Sequence, residues 1–571
     1  MTDNVGRSIG ESRWNRGAWW CSPLLAMLSF LVAFFRTPDG DAFTHLAQGR
    51  YILDQEAVPL ADAFSIAFHG KEWVNWEWLH NVVLALVWGS SGYAGVFLLR
   101  LLVVFATVAL LFAVLRKISG NTVVAFLLAG AALLLMQSRI QDRPHLFSYL
   151  FIALTLFALF PRRPLSKGSL AALFLLLLCW RNVHPSWPLG IALIGSVIIE
   201  ERWRRGLPVV ETDLRAVLLS LPALLILYLA TPHPQGFDIY LALQTQGGGA
   251  LGEWAPIVFS GVRWWTPVRL LFFALVLVMT ISSFLTRSDG ALYRLLALAM
   301  VLNAFWHIRF IPEAALLGTP VVAAAFARSG LSSPSGRRES LFVLLIFALT
   351  VLGTQKNFSD MYLHRGVGPD ETKNPVHAAD FMAEHDLGGN IYASFPGAMD
   401  YLMHALFLKV RVAVDIRVPG LYPFEYAHRL WTISSDRDLE EYVLSLPLDH
   451  IVLGAPDFLA PKREHEWGIE KILLQRGWAL LYFDRHFALY GREDRLGSRL
   501  RPFRLLSRWN TDIARLDAMV KGGGFDAILE ELRLLKAYTA GRDGFYREVL
   551  TTLYRQPFLG NEQKGLLEEM F

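Results

Sequence analysis

Phe35-Arg-Thr-Pro-Asp39-Gly-Asp-Ala-Phe-Thr-His45 is the stretch on which the predicted fold depends, because it places two carboxylates and an imidazole where the first long apolar run ends. That run, residues 18–35, has no small-residue cleavage site. It predicts a retained transmembrane helix behind a short cytoplasmic N-terminus, residues 1–17. Ionisable groups close to a bilayer are costly and tend to be functional. The stretch therefore predicts the acidic centre of a membrane-embedded active site.

The composition is that of a multi-pass membrane protein with an added soluble part. Of the 571 residues, 54% are hydrophobic and 18% are charged, compared with about 45–50% and about 25% in soluble domains. The two cysteines, Cys21 and Cys179, lie in apolar runs and indicate neither a disulfide framework nor a metal cluster. The sequence has no P-loop and no dinucleotide-binding signature. No nucleic-acid partner is expected.

A transmembrane domain is predicted over residues 18–355. A span needs roughly 20 residues, so about eleven segments are long enough, or nearly long enough, to cross. They are 18–35, 93–115, 121–137, 146–160, 167–181, 187–200, 214–230, 267–286, 291–306, 309–327 and 339–354. The apolar segment 79–90 is too short to span. It is predicted to form an interfacial helix within the first external loop, residues 36–92.

The predicted orientation comes from lysine and arginine residues in alternate short loops, such as Arg116-Lys117, Arg162-Arg163 and Arg204-Arg205. The positive-inside rule places these loops in the cytoplasm if the segment 79–90 does not cross. An odd number of spans then places the C-terminal region outside. The predicted location is therefore a membrane, with the C-terminal region on its outer side.

The opposite loops carry acids, histidines, arginines and tryptophans, which predicts an outward-facing site. Asp41 is the preferred general base because His45 lies one helical turn further on. Asp39 would orient the acceptor or, with Asp41, hold a divalent cation. Glu77 would face the acidic pair. The other predicted substrate-binding residues are His45, Trp76, His80, Arg143, His145, His184, Glu253, Trp254, His307 and Arg309.

Each of these residues also has a structural interpretation, which the sequence leaves open. The carboxylates could be solvated and idle, and the tryptophans could be interfacial anchors. Arg143 and His145 could grip a phosphate through charge-assisted hydrogen bonds, or the arginine could snorkel. The loop histidines and the Arg309 region could simply shape turns.

The chain changes character near residue 356. Strand-like segments at 390–394, 410–414, 450–453 and 478–490 alternate with helical segments. This alternation predicts a soluble α/β domain over residues 370–495. Amphipathic segments such as 525–538 and 545–554 predict a helical appendage over residues 500–571.

One span followed by an acidic stretch and an interfacial helix resembles the GT-C-fold glycosyltransferases. More closely, the chain resembles a widespread group of bacterial membrane proteins linked to that superfamily. The resemblance covers most of residues 18–495 and is carried by Asp41–Leu53, Pro59–Phe64, Trp73–Leu79, Arg143–Ser148, Asn182–His184, Glu253–Pro256, Arg309–Pro312, Pro375–Phe381, Phe395–Tyr401 and Val414–Arg417. The chain departs from the pattern at Trp76, where a histidine would precede Glu77, and at Phe395, where Trp or Tyr would precede a glycine pair. The first departure weakens a catalytic role for residue 76.

The resemblance implies an inverting transfer of a sugar from a polyprenyl-phosphate carrier to an extracytoplasmic lipid, glycan or protein. The matching acids would be Asp41 and Glu77, with Asp39 as an adjunct. Arg143 and Arg309 would clamp the phosphate. No cofactor is required by the resemblance, although a divalent cation is a candidate. The resemblance also implies the bacterial inner membrane as the location, with the C-terminal domain in the periplasm. An envelope-assembly protein is a candidate partner besides the bilayer.

Two other classes of function compete with this interpretation. A flippase for lipid-linked saccharides would carry polar residues and broken helices at mid-membrane depth. Here the polar residues gather at one face, which argues against it. A non-catalytic scaffold of an envelope polysaccharide machine would keep its function when Asp41 is replaced by asparagine.

Overall fold

A computed structural model gives the architecture of most of the chain. The described residues are 21–38, 40–160, 167–204, 223–236, 238, 266–285, 291–329, 337–360, 363–394, 396–418, 420–433, 436–454, 470, 472–497, 500–506, 513–539 and 544–571. The predicted site residues Asp39, Glu253 and Trp254 lie outside this set, as do the N-terminus 1–20 and most of the predicted span 214–230.

The chain divides into two compact units. The first, here called the helical unit, comprises residues 1–37, 48–58 and 74–368, and the second, the α/β unit, comprises 38–47, 59–73 and 369–571. The predicted boundaries treat 36–92 as one external loop. The structure instead assigns two pieces of that loop to the α/β unit.

The helical unit consists mainly of apolar helices, whose bounds follow the predicted apolar runs closely. They are α1 Cys21–Ala33, the second half of α2 Gly40–Gln55, α3 Trp78–Ser119, α4 Thr122–Met136, α5 His145–Leu159, α6 Lys167–Val183, α7 Pro188–Arg204, α8 Thr266–Leu285, α9 Ala291–Trp306, α10 Ile311–Arg328 and α11 Arg337–Asp360. Short 3₁₀ turns, Gln137–Arg139 and Ile308–Phe310, come before α5 and α10.

In the described part of the chain, three helical stretches are long and apolar enough to cross a membrane: Trp78–Ser119, Thr122–Arg139 and Ile308–Arg328. The other apolar helices are shorter by this measure. The predicted number of about eleven spans therefore stays a prediction.

Helix α3 is interrupted at Gly92, where φ is 57° and ψ is −148°. This conformation is open to glycine because it lacks a Cβ. The break separates 78–91 from 93–119, at the point where the sequence predicts two separate segments. The predicted interfacial position of the first segment is not tested. The second segment packs with α1, α4, α5 and α10 around a core that includes Val104, Leu111 and Leu316.

The α/β unit contains a five-stranded mixed sheet of order β2-β1-β3-β5-β4. Strands β1 and β2, and β1 and β3, are parallel, whereas β5 is antiparallel to both β3 and β4. The strands are β1 Gly389–Ala393, β2 Val410–Val412, β3 His450–Gly454, β4 Trp478–Phe483 and β5 Phe487–Arg492. The helices are the first half of α2, α12 Val376–Glu384, α13 Pro396–Ala405, α14 Phe424–Trp431, α15 Ile513–Lys521, α16 Phe525–Tyr538, α17 Phe545–Tyr554 and α18 Asn561–Glu568.

A piece of the first loop extends this sheet. The Val412 N–H donates to the Phe64 carbonyl at 2.9 Å, and the Ile66 N–H donates to the Val412 carbonyl at 3.0 Å. Residues 64–66 thus run parallel to β2 and cover an edge that would otherwise present unpaired backbone groups.

The C-terminal helices pack against the same sheet. The Tyr538 ring lies 4.8 Å from the ring of Phe381, and the Phe545 ring lies 5.8 Å from that of Phe483. The Glu531 carboxylate accepts backbone N–H bonds from residues 504–506. The last helices are therefore an integral layer of the α/β unit.

Candidate functional site

Two histidines lie side by side near the ends of helices α5 and α6. The ring centroids of His145 and His184 are 6.4 Å apart. Nε2 of His145 is 2.8 Å from the Arg139 carbonyl oxygen. Nδ1 of His184 is 3.0 Å from Ser148 Oγ and 2.7 Å from Ser186 Oγ. These hydrogen bonds fix both rings, so each presents one defined edge to its surroundings.

Positive charge gathers around this histidine pair. Arg139 and Arg309 both act electrostatically on His184 and on the buried carboxylate of Glu313. Arg139 also hydrogen-bonds the phenol of Tyr149. Arg309 lies in the 3₁₀ turn before α10, and Glu313 lies in the first turn of that helix. The two turns that precede α5 and α10 therefore bring their arginines to one place.

Arg143 belongs to the same neighbourhood. It is half-buried and acts electrostatically on His145, two residues further on. Of the predicted phosphate clamp, Arg143 is thus linked to His145 and Arg309 to His184. The neighbouring histidine rings connect the two arginines into one cluster. The proposed clamping of a phosphate is not tested by this geometry.

The turn that carries Arg143 is anchored by a buried ion pair. Arg100 Nη1 lies 2.8 Å from Asp142 Oδ2. Thr37 Oγ1 donates to the same carboxylate oxygen at 2.7 Å, and the Arg100 guanidinium lies 3.8 Å from the ring centroid of Phe35. The end of α1, helix α3 and the turn before α5 are tied together at this point.

His80 lies near the start of α3 and is buried. Its ring packs edge-on against Phe147 at 5.6 Å, and it lies within electrostatic range of His184. His80 therefore lies in the neighbourhood of the histidine and arginine cluster, and its predicted role in substrate binding stays a prediction.

Glu77 and Trp76 precede α3 and are half-buried. A Cβ built on Gly236 would lie 2.7 Å from the Cβ of Trp76, so Trp76 packs closely against residue 236. This contact agrees with a packing role for residue 76. His307 is half-buried, and its ring lies 6.2 Å from that of Phe310 in the turn before α10.

The end of α6 supplies further polar contacts. Asn182 accepts a hydrogen bond from Trp78 Nε1 at 2.8 Å and donates to the Ala230 carbonyl at 2.8 Å. Arg181 Nη2 donates to the Pro234 carbonyl at 3.1 Å. The amide of Asn182 is thus used to join helices, which favours a structural interpretation of that residue.

Asp41 and His45 belong to the α/β unit. Asp41 lies in the first turn of α2 and is half-buried, and His45, one turn further on, is buried. Asp41 and His45 therefore share a face of α2, and their predicted roles in the reaction stay predictions. Glu77, Trp76, His80, Arg143, His145, His184, His307 and Arg309 all belong to the helical unit. A single site formed by both groups stays a prediction.

A second charged network in the α/β unit links segments that carry the family resemblance. Arg417 Nη1 lies 2.6 Å from Asp62 Oδ1, and Arg417 Nη2 lies 2.6 Å from Asp415 Oδ2. Tyr422 donates to Asp415 at 3.0 Å, and the Arg417 guanidinium lies 4.9 Å from the ring centroid of Trp73. All three charged side chains are at most 4% exposed. The network joins the loop 59–73 to the segment after β2.

The electrostatics of this network favour the ionised carboxylate. Burial by itself would raise the pKa of Asp62. The charge of Arg417 and hydrogen bonds from Ser65 and from the Phe64 and Ser65 backbone outweigh burial and hold that pKa below its usual value. Asp62 and Arg417 are therefore a structural ion pair, and the network assigns no chemistry to these two segments.

The sequence places Arg139 and Glu313 in the outward-facing loops, but sequence reasoning gave neither residue a role in the site. A usable signal existed, because Arg139 lies four residues before Arg143 and Glu313 four residues after Arg309. Charged residues in the turns beside apolar helices are costly near a bilayer and tend to be functional. In the described residues, no three His, Cys, Asp or Glu side chains are arranged to hold a metal ion. The predicted cation site at Asp39 and Asp41 is not tested, since Asp39 lies outside that set.

Comparison with known proteins identifies the fold. No protein-family model matches the chain, and no curated protein matches it. Among solved structures with a similar fold, the Archaeoglobus fulgidus oligosaccharyltransferase in the apo form is 12% identical, over 96% of this chain and 87% of that chain, with a TM-score of 0.51. ArnT from Cupriavidus metallidurans in the apo state is 10% identical, over 84% of this chain and 99% of that chain, with a TM-score of 0.51.

These similarities confirm the predicted GT-C-like fold. Identities this low establish the fold and leave the activity to be argued from the site. The apolar helices and the fold together indicate a membrane location.

Proposed function

We propose that this GT-C-fold membrane protein is a glycosyltransferase that moves a sugar from a polyprenyl-phosphate carrier to an extracytoplasmic acceptor. The observation that carries the proposal is the gathering of Arg139, Arg143 and Arg309 around a histidine pair in the helical unit. Three arginines near the ends of apolar helices carry more positive charge than the single buried carboxylate of Glu313 beside them can balance, so a further anion is expected. The phosphate of a lipid-linked sugar is an anion that reaches such a place from the bilayer.

The arginines would act on the leaving group. In the transfer, an acceptor oxygen forms a bond to the anomeric carbon as the bond from that carbon to the phosphate oxygen breaks. The electron pair stays on the polyprenyl phosphate, and its charge grows as the bond breaks. Guanidinium groups remain protonated and donate several N–H bonds in a fixed plane, so they stabilise this developing charge.

Asp41 would accept the proton of the attacking acceptor hydroxyl. Because the phosphate leaves from one side of the sugar while the acceptor attacks from the other, the configuration at the anomeric carbon inverts. Glu77 would assist in orienting the acceptor. A divalent cation held by Asp39 and Asp41 would supply an alternative way of binding the acceptor or the phosphate.

The test is sugar transfer by the purified full-length protein in nanodiscs. The donors are a panel of radiolabelled polyprenyl-phosphate hexoses and pentoses, and the acceptor source is membranes from a strain without this protein. The variants are Asp41→Asn, Arg309→Ala and Arg309→Lys, and the matched control is Arg116→Ala, at an exposed arginine near the end of α3.

We expect wild type and Arg116→Ala to transfer label from one donor of the panel. Asp41→Asn should be slower by about 10²- to 10⁴-fold, the usual contribution of a general base. Arg309→Ala should lose most activity, and Arg309→Lys should recover part of it because the charge remains. Equal product from every variant would contradict the catalytic assignment, and donor translocation without transfer would favour a flippase.

A further inference from the structure

The first turn of α2, which carries Asp41, is held by helix α13 of the same unit. Thr44 Oγ1 donates a hydrogen bond of 2.7 Å to Asp400 Oδ1. Both residues are fully buried, with 0% of their surface exposed. A buried carboxylate is costly unless it is hydrogen-bonded, so this contact constrains both helices.

The two helices approach closely at the same point. A Cβ built on Gly40 would lie 2.4 Å from the Gly397 Cα and 2.6 Å from Asp400 Oδ2. Both distances are far below van der Waals contact, so only glycine fits at position 40. The buried ring of Phe43 adds an edge-on contact with Tyr401, with centroids 4.8 Å apart.

These contacts use one face of α2 and leave another face for Asp41. Gly40, Phe43 and Thr44 lie three and four residues apart and therefore share a face. With 3.6 residues per turn, Asp41 and His45 point roughly 100° away from that face. The contacts with α13 therefore fix the rotation of the turn, and through it the direction of the Asp41 side chain.

We propose that Asp400 is a positioning residue, which fixes the first turn of α2 through Thr44 and so aims the carboxylate of Asp41. This inference rests on the proposed function, in which Asp41 is the general base. It also gives the α/β unit a role in the reaction itself, besides any role in binding an acceptor. Displacing a general base by about 1 Å can lower the reaction rate about 100-fold. A contact that keeps the base in place can therefore contribute about this factor to kcat.

The test compares two replacements that differ by the hydroxyl group. Thr44→Val keeps the shape and removes the hydrogen bond to Asp400, whereas Thr44→Ser keeps the hydroxyl. Asp400→Asn is a second variant, which keeps an acceptor oxygen and removes the charge. Thr107→Val is the matched control, because Thr107 is equally buried and its hydroxyl donates within its own helix, to the Val103 carbonyl at 2.7 Å.

Two measurements are made on the full-length protein in nanodiscs. The first is the transfer rate from the active polyprenyl-phosphate sugar, resolved into kcat and the KM for the donor. We expect Thr44→Val to lower kcat by roughly 10- to 100-fold while the donor KM stays unchanged. Thr44→Ser should recover most of kcat, and Thr107→Val should keep it.

The second measurement is hydrogen–deuterium exchange of the amides of residues 44–47, and it does not depend on activity. We expect faster exchange there in Thr44→Val than in wild type, and a smaller increase in Asp400→Asn, because an amide oxygen accepts the Thr44 hydrogen bond more weakly than a carboxylate does; α4 should not change. Unchanged exchange at 44–47 would overturn the proposal, and so would faster exchange with kcat and KM both unaltered. If wild type transfers no sugar from the panel, the proposed function fails, and the exchange measurement still decides whether Asp400 holds the turn.

Discussion

Arg100 and Asp142 form an ion pair from which water is excluded on both sides, with side-chain exposures of 2% and 3% and a separation of 2.8 Å between Nη1 and Oδ2. The Arg100 guanidinium also donates to the Phe35 carbonyl. The effect of such a buried ion pair on stability depends on whether one partner or both partners are replaced. Removing one partner leaves a buried charge and costs about 3–5 kcal/mol, whereas replacing both by apolar side chains is often neutral.

We therefore expect Asp142→Leu to lower the unfolding temperature of the protein strongly. The double variant Arg100→Leu/Asp142→Leu should regain much of that loss, because no unpaired charge remains. The measurement is thermal unfolding in detergent, followed by tryptophan fluorescence. A double variant as unstable as Asp142→Leu would show that the pair is needed for more than mutual neutralisation.

The α/β unit should lose stability in acid through Asp62. Because its pKa is lowered on folding, the folded state binds this proton less readily than the unfolded state. The stabilisation is fully present above the unfolded pKa, about 3.9, and is lost as pH falls through the lower folded pKa. Asp62→Asn should remove this part of the pH dependence between about pH 4 and the acid limit.

The check is the unfolding temperature of wild type and Asp62→Asn between pH 7 and pH 2. Asp54→Asn, at an exposed position in α2, is the control. Parallel acid profiles for wild type and Asp62→Asn would contradict a native ion pair with Arg417.

Two glycines in the helical unit should respond in opposite ways to a methyl group. A Cβ on Gly49 would lie 1.9 Å from the Asn81 carbonyl oxygen, whereas a Cβ on Gly130, within α4, would meet no atom of the described residues within 4 Å. Gly49→Ala should therefore destabilise the protein by forcing α2 and α3 apart. Gly130→Ala should stabilise it by about 0.4–1 kcal/mol, because the unfolded chain loses freedom. Unfolding temperatures of the two variants give the signs, and destabilisation by both would mean that α4 is more tightly packed than the structure shows.

Replacing Arg139 should lower kcat/KM for the donor as much as replacing Arg143 or Arg309, the two predicted clamp arginines. Its charge acts on Glu313 and His184 together with that of Arg309. A hydrogen bond between charged groups contributes about 1.5–3 kcal/mol, so Arg139→Ala should lower kcat/KM for the donor by roughly 10- to 100-fold. Arg139→Lys should lose less, and Arg116→Ala should lose nothing. Transfer by Arg139→Ala at the wild-type rate would remove this residue from the donor site.

The sequence predicts those parts of the structure that are encoded locally. Long apolar runs give helix bounds to within a few residues, and alternation gives the strands at 389–393 and 450–454. The break at Gly92 also falls between two predicted segments, because a glycine after a polar Ser90-Ser91 pair ends the apolar run. The arginines before α5 and α10 stand out because polar residues next to apolar helices are costly.

The remaining structure depends on distant partners. Thr44 and Asp400 are 356 residues apart in the chain. The sequence around either residue gives no signal that the two are in contact. Asp62 and Arg417 lie in motifs that the family resemblance singles out, yet their pairing depends on residues 64–66 joining the edge of β2. Spacing along the chain carries no information on such contacts. Only the three-dimensional structure therefore shows which segments make up the α/β unit.

The sheet edge covered by residues 64–66 has a consequence for the order of events during synthesis. The segments 38–47 and 59–73 are made first, and their partners, β2 and α13, emerge only after the whole helical unit has been translated. Contacts this non-local form late in folding. We therefore expect the acidic turn to gain its final geometry only in a nearly complete chain, so a nascent or truncated protein would carry Asp41 without holding it ready for use.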